Sequence, residues 1–533
     1  MTPANKVKAA ESVTASTWAG FAMMCVGMFM AILDVQVVAT SLPTIQRALN
    51  IPQDRMSWVQ TAYLIAEIIA IPLTGFLTRV FTMRWLFVIA VSVFTLASIA
   101  CAASGGFMTL IVSRIVQGFF GGMLIPTVFS AIFLLFPFRH QALATTIAGV
   151  LAVLAPTVGP VVGGWITETY SWPWLFLINV LPGVIAAVVA SLLLPKEQPA
   201  LDLARHLDWI SLSLLALSLA ALEVAIKEAP ERGWTSSLIA ALLVVSFCSG
   251  AGFVAKTLGT TQPLIDLRVF KNRNFSAGCV LSFIVGMGLF GSIYLMPLFL
   301  AYVRGHGALE IGKIILVTGV AQLAAAPLAV ALDQRYDERA LTAIGFLMLG
   351  IGLGLSSVQT TTTDYNEMLW PQVVRGCATM LCILPSTRLA LGLIAKAGIP
   401  DASGLFNLMR NLGGAIGIAI IDTVIYSRSP IYSRKMIDRL AAGDTELAKT
   451  LGIPLDVLAD LALAPDKQNL LVAELVNKAA LVQAINNAWA FLAVSVLAAI
   501  VVVPLARTTS LPTVVVKIRK GRVIVRRSRA DVR

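Results

Sequence analysis

Apolar runs long enough to cross a bilayer recur fourteen times along this chain, and that recurrence leaves room for few other folds. They lie near 18–41, 57–78, 83–104, 107–136, 141–166, 173–195, 208–227, 236–256, 275–302, 307–332, 340–358, 369–394, 402–426 and 487–506. About 20 apolar residues cross the hydrocarbon as a helix, and a backbone in lipid must satisfy its polar groups internally. The expected fold is an all-α polytopic membrane protein. The first run is longer than the apolar core of a cleavable signal and another span follows it at once, so it is read as a span. Only 13% of the residues are charged, against about 25% in a soluble domain.

Charge in the short loops orients the spans. With the N-terminus inside, Arg79, Arg84, Arg139, Arg205, Arg268, Lys271, Arg273, Arg335 and Arg339 all fall in inner loops. The tail 507–533 holds nine Lys/Arg and one Asp, so it supplies +8 of the net +12. The one long loop, 427–486, has seven basic and seven acidic residues and is neutral. The positive-inside rule therefore puts both termini in the cytoplasm and 427–486 outside. In that setting the basic excess points to an anionic lipid surface and not to nucleic acid. The outer loop carries Leu, Ala and Val at helical spacing, with Asp444 and Asp466 as N-caps, and reads as two or three short amphipathic helices.

An internal repeat divides the chain. "PLTGFLTRVFTMRWL" from Pro72 and "PLAVALDQRYDERAL" from Pro327 match at an offset of 255, and "IVQG" ending at Gly118 matches "VVRG" ending at Gly376 at 258. Matching spans run in the same direction, so the repeat is parallel, as in transporters that alternate access to a site between two halves. The expected division is an N-terminal six-helix half (1–200), two inserted helices (201–262), a C-terminal six-helix half (263–506) and the basic tail.

Ionisable residues inside such spans are expensive and mark function. Asp34 sits toward the end of the first apolar run, and an ionised Asp at the centre of a spanning helix costs roughly 2.5–3.5 kcal/mol. It either cycles between neutral and ionised forms as a proton carrier or braces spans through permanent hydrogen bonds; in either case it is expected to face an aqueous cavity. Glu67 is a second proton site, a counter-charge for a cationic substrate, or a carboxyl wetted by that cavity. Arg114 must pair with an acid of the first two spans or with backbone carbonyls. Arg375, Asn407, Arg410 and Asp422 line the cavity or brace helices, and Glu223 is read as interfacial. The six cysteines lie in apolar runs without metal spacing, and no P-loop, HExxH or GxSxG motif occurs. No enzyme activity, metal or cofactor is expected, and the energy must come from an ion gradient.

Several stretches resemble the major facilitator superfamily. "GFLTRVFTMRWLF" (Gly75–Phe87) is similar to its loop motif, "RIVQGFFGG" from Arg114 to its fourth-span motif, and "GPVVGG" (Gly159–Gly164) to its antiporter motif. "LDVQVVATSLPTI", "WPWLFLINVLPG" and "LFNLMRNLGGAIG" resemble the first, sixth and thirteenth spans of its fourteen-span drug/proton antiporters of the EmrB/QacA type. The resemblance implies the major facilitator fold, in an inner membrane, and a proton-coupled exporter of hydrophobic or amphipathic drugs and toxic organic compounds. The alternative is a same-fold transporter of one metabolite, such as an amino acid, siderophore or fatty acid. It implies proton-coupling roles for Asp34 and Arg114, a conformational role for Gly75 and Arg84, and export direction from Gly159, Pro160, Gly163 and Gly164. In a Gram-negative host it also implies a periplasmic adaptor and an outer-membrane channel. The loop motif departs from the family where its Asp and second Gly are Arg79 and Thr82. The contact that locks the halves is therefore expected to be rearranged, without Arg79.

Overall fold

The computed structural model describes residues 13–51, 56, 58–260, 263–454, 470–507, 514–519 and 522–527. Among them 13 helices are long and apolar enough to cross a membrane. One, Trp58–Ala102, is two spans joined at Thr82, where φ 71° and ψ 159° break the helix, so the count of fourteen is met. The first span is Ala15–Leu49, opened by Thr14, whose hydroxyl accepts from Thr17 N. The second and third are the two arms of Trp58–Ala102, followed by Phe107–Leu135, Phe138–Thr169 and Trp174–Leu193. The inserted seventh and eighth are Trp209–Arg232 and Ser237–Gly259. The ninth to fourteenth are Arg273–Phe299, Ala308–Asp333, Glu338–Leu355, Tyr365–Leu391, Ile399–Ala441 and Leu470–Ala498. An even number of crossings returns the chain to the face where it starts, called here the near face.

The repeat is visible in how helices touch. A methyl group on Gly118 would meet the backbone carbonyl of Tyr63, and one on Gly376 would meet that of Thr318. Tyr63 and Thr318 are themselves one repeat apart, so both halves use a glycine to seat one span on another. Small residues at such crossings let backbones approach where no hydrophobic drive between helices exists. The halves meet along two seams. Gly75 and Gly404 bring the second span onto the thirteenth, while Gly312 and Gly319 bring the tenth onto the fifth, against Val161 and Leu154.

The inserted pair is a hairpin stitched by reciprocal bonds: Ser218 Oγ donates to Ser246 O and Ser246 Oγ to Ser218 O, each at 2.9 Å. Its near-face end closes through Lys256 and Asp208, 2.6 Å apart. The Lys256 hydrogen bond is the largest influence holding the Asp208 carboxyl down at about 2. The seventh span touches both halves, with Lys227 donating to Thr61 and Trp234 Nε1 to Thr423 Oγ1 at 2.9 Å.

One expectation changes here. Where it is described, the segment 427–486 is largely a continuation of its neighbours: the thirteenth helix runs on to Ala441 and the fourteenth spans Leu470–Ala498. Among the described residues between them stands one short helix, Thr445–Leu451, whose Leu447 N donates to its N-cap Asp444 at 2.9 Å, and 455–469 lie outside the described residues. Extending an existing helix adds a bond per residue without a new nucleus. The Leu, Ala and Val pattern thus prolongs the two spans, around a small core of Met436, Leu440, Leu447, Ala448 and Val476. Asp466 lies outside the described residues. The membrane body is all-α, but the tail adds an antiparallel hairpin, Val514–Arg519 against Arg522–Arg527, built from β-branched residues that favour extended backbone.

Candidate functional site

Four spans of the N-terminal half converge on Asp34, which is 1% exposed. Its Oδ2 accepts from Arg114 Nη1 at 2.5 Å. Its Oδ1 accepts from Gln117 Nε2 at 2.9 Å and from Asn179 Nδ2 at 2.8 Å. Arg114 also donates to Gln117 Oε1 at 2.7 Å and, through Nε, to Val59 O at 3.2 Å. Its guanidinium lies 4.3 Å from the centre of the Tyr63 ring, and Tyr63 in turn donates to Ala31 O. Gln117 reaches Ser98 Oγ at 2.9 Å. The spacing explains the convergence: Arg114 and Gln117 are three residues apart and share a helix face.

The acid expected for Arg114 is therefore Asp34. The expectation that Asp34 faces an aqueous cavity is corrected: a closed network of one cation and two amides satisfies it. Sequence reading did not single out Gln117, Asn179 and Ser98, although the first two lie in the quoted fourth- and sixth-span stretches. A neutral amide is an unremarkable residue until a buried charge needs it.

Glu67 stands apart from this cluster. It is half-buried on the second span and within electrostatic range of Glu223 on the seventh, which also feels Lys227. Glu223 is thus placed against the second span, and the inserted helix brings a second acid to Glu67.

The near-face seam holds the clearest departure from expectation. Arg79 makes an ion pair with Asp401 in the first turn of the thirteenth span, and it donates to Leu264 O at 3.1 Å. It therefore does join the halves, with the basic partner on the second span. Gly75 allows it, since any side chain there would displace Asp401. Thr82 keeps the positive φ at the position where the family has Gly, a conformation costly for a β-branched residue. Arg84 stays within its own half, donating to Ser191 O and lying 5.3 Å from the Trp85 ring. In the C-terminal half, Arg388 pairs with Asp333 and reaches Glu338 at 3.7 Å, while its guanidinium lies 4.3 Å from the Phe138 ring of the fifth span.

The antiporter stretch sits on the fifth span with Pro156 and Pro160 inside the helix. Gly159 faces Gln36 of the first span, and Gly163 and Gly164 offer carbonyls to Thr167 Oγ1 at 2.8 and 3.0 Å. Asn407 donates to Ser403 O at 2.9 Å within its own helix and so ties no second span. Asp422 accepts from Tyr294 OH at 2.7 Å and so ties the thirteenth span to the ninth. Arg410 lies against the rings of Phe129 and Phe406, 5.2 and 5.3 Å from their centres. Of these four, Arg375 lines cavities.

The Major Facilitator Superfamily profile matches residues 24–418. The colistin resistance protein EmrB of Acinetobacter baumannii is 38% identical over 409 residues, covering 76% of this chain and 80% of the relative. The multidrug export protein EmrB of Escherichia coli is 30% identical over 412 residues, 77% and 80% of the two chains. The fatty acid resistance protein FarB of Neisseria gonorrhoeae is 28% identical over 424 residues, 79% and 83%. Among solved structures, the human organic anion transporter MFSD10 aligns with a TM-score of 0.57 at 13% identity, over 91% of this chain and 99% of that one. The proton:xylose symporter XylE aligns at 0.55 and 14%, over 91% and 95%. These two likenesses are of fold alone. With the parallel repeat and the second-, fourth- and fifth-span motifs in place, the profile and the relatives' identity establish that this chain belongs to the Major Facilitator Superfamily.

Proposed function

We propose that the protein is a proton-coupled exporter of hydrophobic or amphipathic drugs and other toxic organic compounds, working by alternating access. The observation that carries this is the buried Asp34 network, supported by the relatives named for multidrug export and resistance. Protonating Asp34 removes the charge that holds Arg114, Gln117 and Asn179 together, and the first, fourth and sixth spans loosen. Breaking a buried pair from one side leaves the other charge uncompensated, so the two protonation states favour different packings. The near face is cytoplasmic in an inner membrane, as the basic loop residues support. Export then requires the Arg79–Asp401 seam to open for loading and close for release. The helices prolonged beyond the far face offer a docking place for a periplasmic adaptor, with an outer-membrane channel beyond it.

The test is proton movement in proteoliposomes on adding a panel of lipophilic compounds, for wild type and Asp34→Asn. A substrate-driven signal lost in Asp34→Asn supports antiport through Asp34. An unchanged signal reduces Asp34 to a brace and moves the coupling to Glu67. Silence with every compound favours a transporter of one metabolite.

A further inference from the structure

The two halves treat their buried arginines differently. Aligned on Gly118 and Gly376, the repeat sets Arg114-x-x-Gln117 against Gln372-x-x-Arg375, so the cation and the amide have exchanged places. The acid has no counterpart: offsets of 255 to 258 carry Asp34 to positions 289–292, Leu-Phe-Gly-Ser. In its place is a small cavity of about 30 Å³ lined by Leu289, Ser292, Thr318, Gln372 and Arg375, among others. That is more than the least room one water needs, and enough for a small polar head group.

Arg375 and Gln372 bring donors without acceptors to its wall. Arg375 is 4% exposed, and its Nε and Nη1 have no partner among the described residues. Gln372 Nε2 and Trp489 Nε1 are also buried and unpartnered. The Gln372 oxygen is already taken by Thr318 Oγ1 at 3.1 Å, which turns the amide nitrogen free. The guanidinium is held in place by the Trp489 ring at 4.7 Å and by Met296 Sδ at 3.5 Å, neither of which offers a charge. No described acid acts on it electrostatically. A desolvated cation without a counter-charge is costly, and guanidinium suits oxyanions that offer it two oxygens, carboxylate and sulfonate among them. Beyond Arg375 a second cavity of about 300 Å³ leads toward the far-face ends of the eleventh and twelfth spans, walled by Met296, Leu355, Met368 and Pro371. Its one acid, Glu367, accepts from Asp364 N at 3.0 Å and serves as a helix cap. Arg410, the other buried arginine without a carboxylate partner among the described residues, lines neither cavity.

We propose that Arg375 and Gln372, beside Trp489, form a subsite for the carboxylate or sulfonate head of an amphipathic organic anion, whose apolar body occupies the Met-lined outer cavity. This rests on the exporter reading and assigns it a substrate class. The test is equilibrium binding to the full chain in nanodiscs, with 1-pyrenesulfonate and 1-pyrenemethylammonium as probes of like body and opposite charge. Wild type should bind the sulfonate at least about tenfold more tightly. Arg375→Met should abolish that preference without weakening the ammonium, Arg375→Lys should keep part of it, and Gln372→Leu should weaken the sulfonate alone. Thermal unfolding should show Arg375→Met as stable as wild type, because it removes an uncompensated charge. Equal sulfonate affinity in Arg375→Met and wild type overturns the subsite. Anion binding that survives while no compound drives proton movement overturns the exporter reading instead.

Discussion

At the scale of single residues, the buried charges decide most. Arg114→Ala strands Asp34 without its cation, and unfolding in detergent should show a loss of about 3–5 kcal/mol. Gln117→Leu should cost less, since Asn179 and Arg114 still reach the carboxylate. Thr82 makes the opposite prediction. Its φ of 71° is one that glycine tolerates and threonine does not. Thr82→Gly should raise stability by about 1 kcal/mol, provided the second and third spans keep their angle; an unchanged or lower melting temperature would show that the strain is relieved in some other way.

At the scale of elements, the seams between helices carry the predictions. Arg79→Glu places two acids face to face across the second and thirteenth spans. Transport should fall by roughly tenfold and return in the Arg79→Glu, Asp401→Arg double variant, as expected of residues in direct contact. Failure of the double variant to recover would mean that the pair is held by its surroundings and not by its charges. The inserted hairpin titrates in acid. Lys256 holds the Asp208 carboxyl at about 2, below the value of about 3.9 for an unfolded Asp. Its contribution is therefore complete above about pH 4 and is lost as the pH falls through about 2. Asp208→Asn should flatten the melting temperature across that window, and a slope that persists would assign it to other carboxylates.

At the scale of the whole molecule, two halves related by a parallel repeat are tied at a near-face seam and bridged by an inserted helix that touches both. The proposed orientation is open to a direct check. A protease-cleavable tag after Arg533 should be cut in inside-out vesicles and protected in right-side-out ones. The reverse pattern would invert the reading of every face, and with it the direction of export. The repeat also sets the two halves apart, the first carrying the proposed proton site and the second the proposed anion subsite. Each keeps an arginine and a glutamine one turn apart, and only the first supplies the acid.

The sequence by itself determined the number of spans and marked Asp34 and Arg114 as charges inside them, with an acid of the first two spans expected to meet Arg114. Hydropathy is a local property, summed over about 20 residues, and a lone charge inside such a run announces itself. The tertiary structure alone decided who meets whom. Arg79 and Asp401 are 322 residues apart, and nothing near either one indicates the other. Gln117 and Asn179 became functional candidates only when packing placed their amides on Asp34. The prolonged thirteenth and fourteenth helices were hidden for a related reason: the same Leu and Ala spacing serves a new helix or an old one, and only the neighbours it packs on decide between them. Arg375 shows the limit most plainly, since its sequence favours a brace over a cavity residue, and the proposal of a binding site rests on the partners that the fold leaves out of its reach.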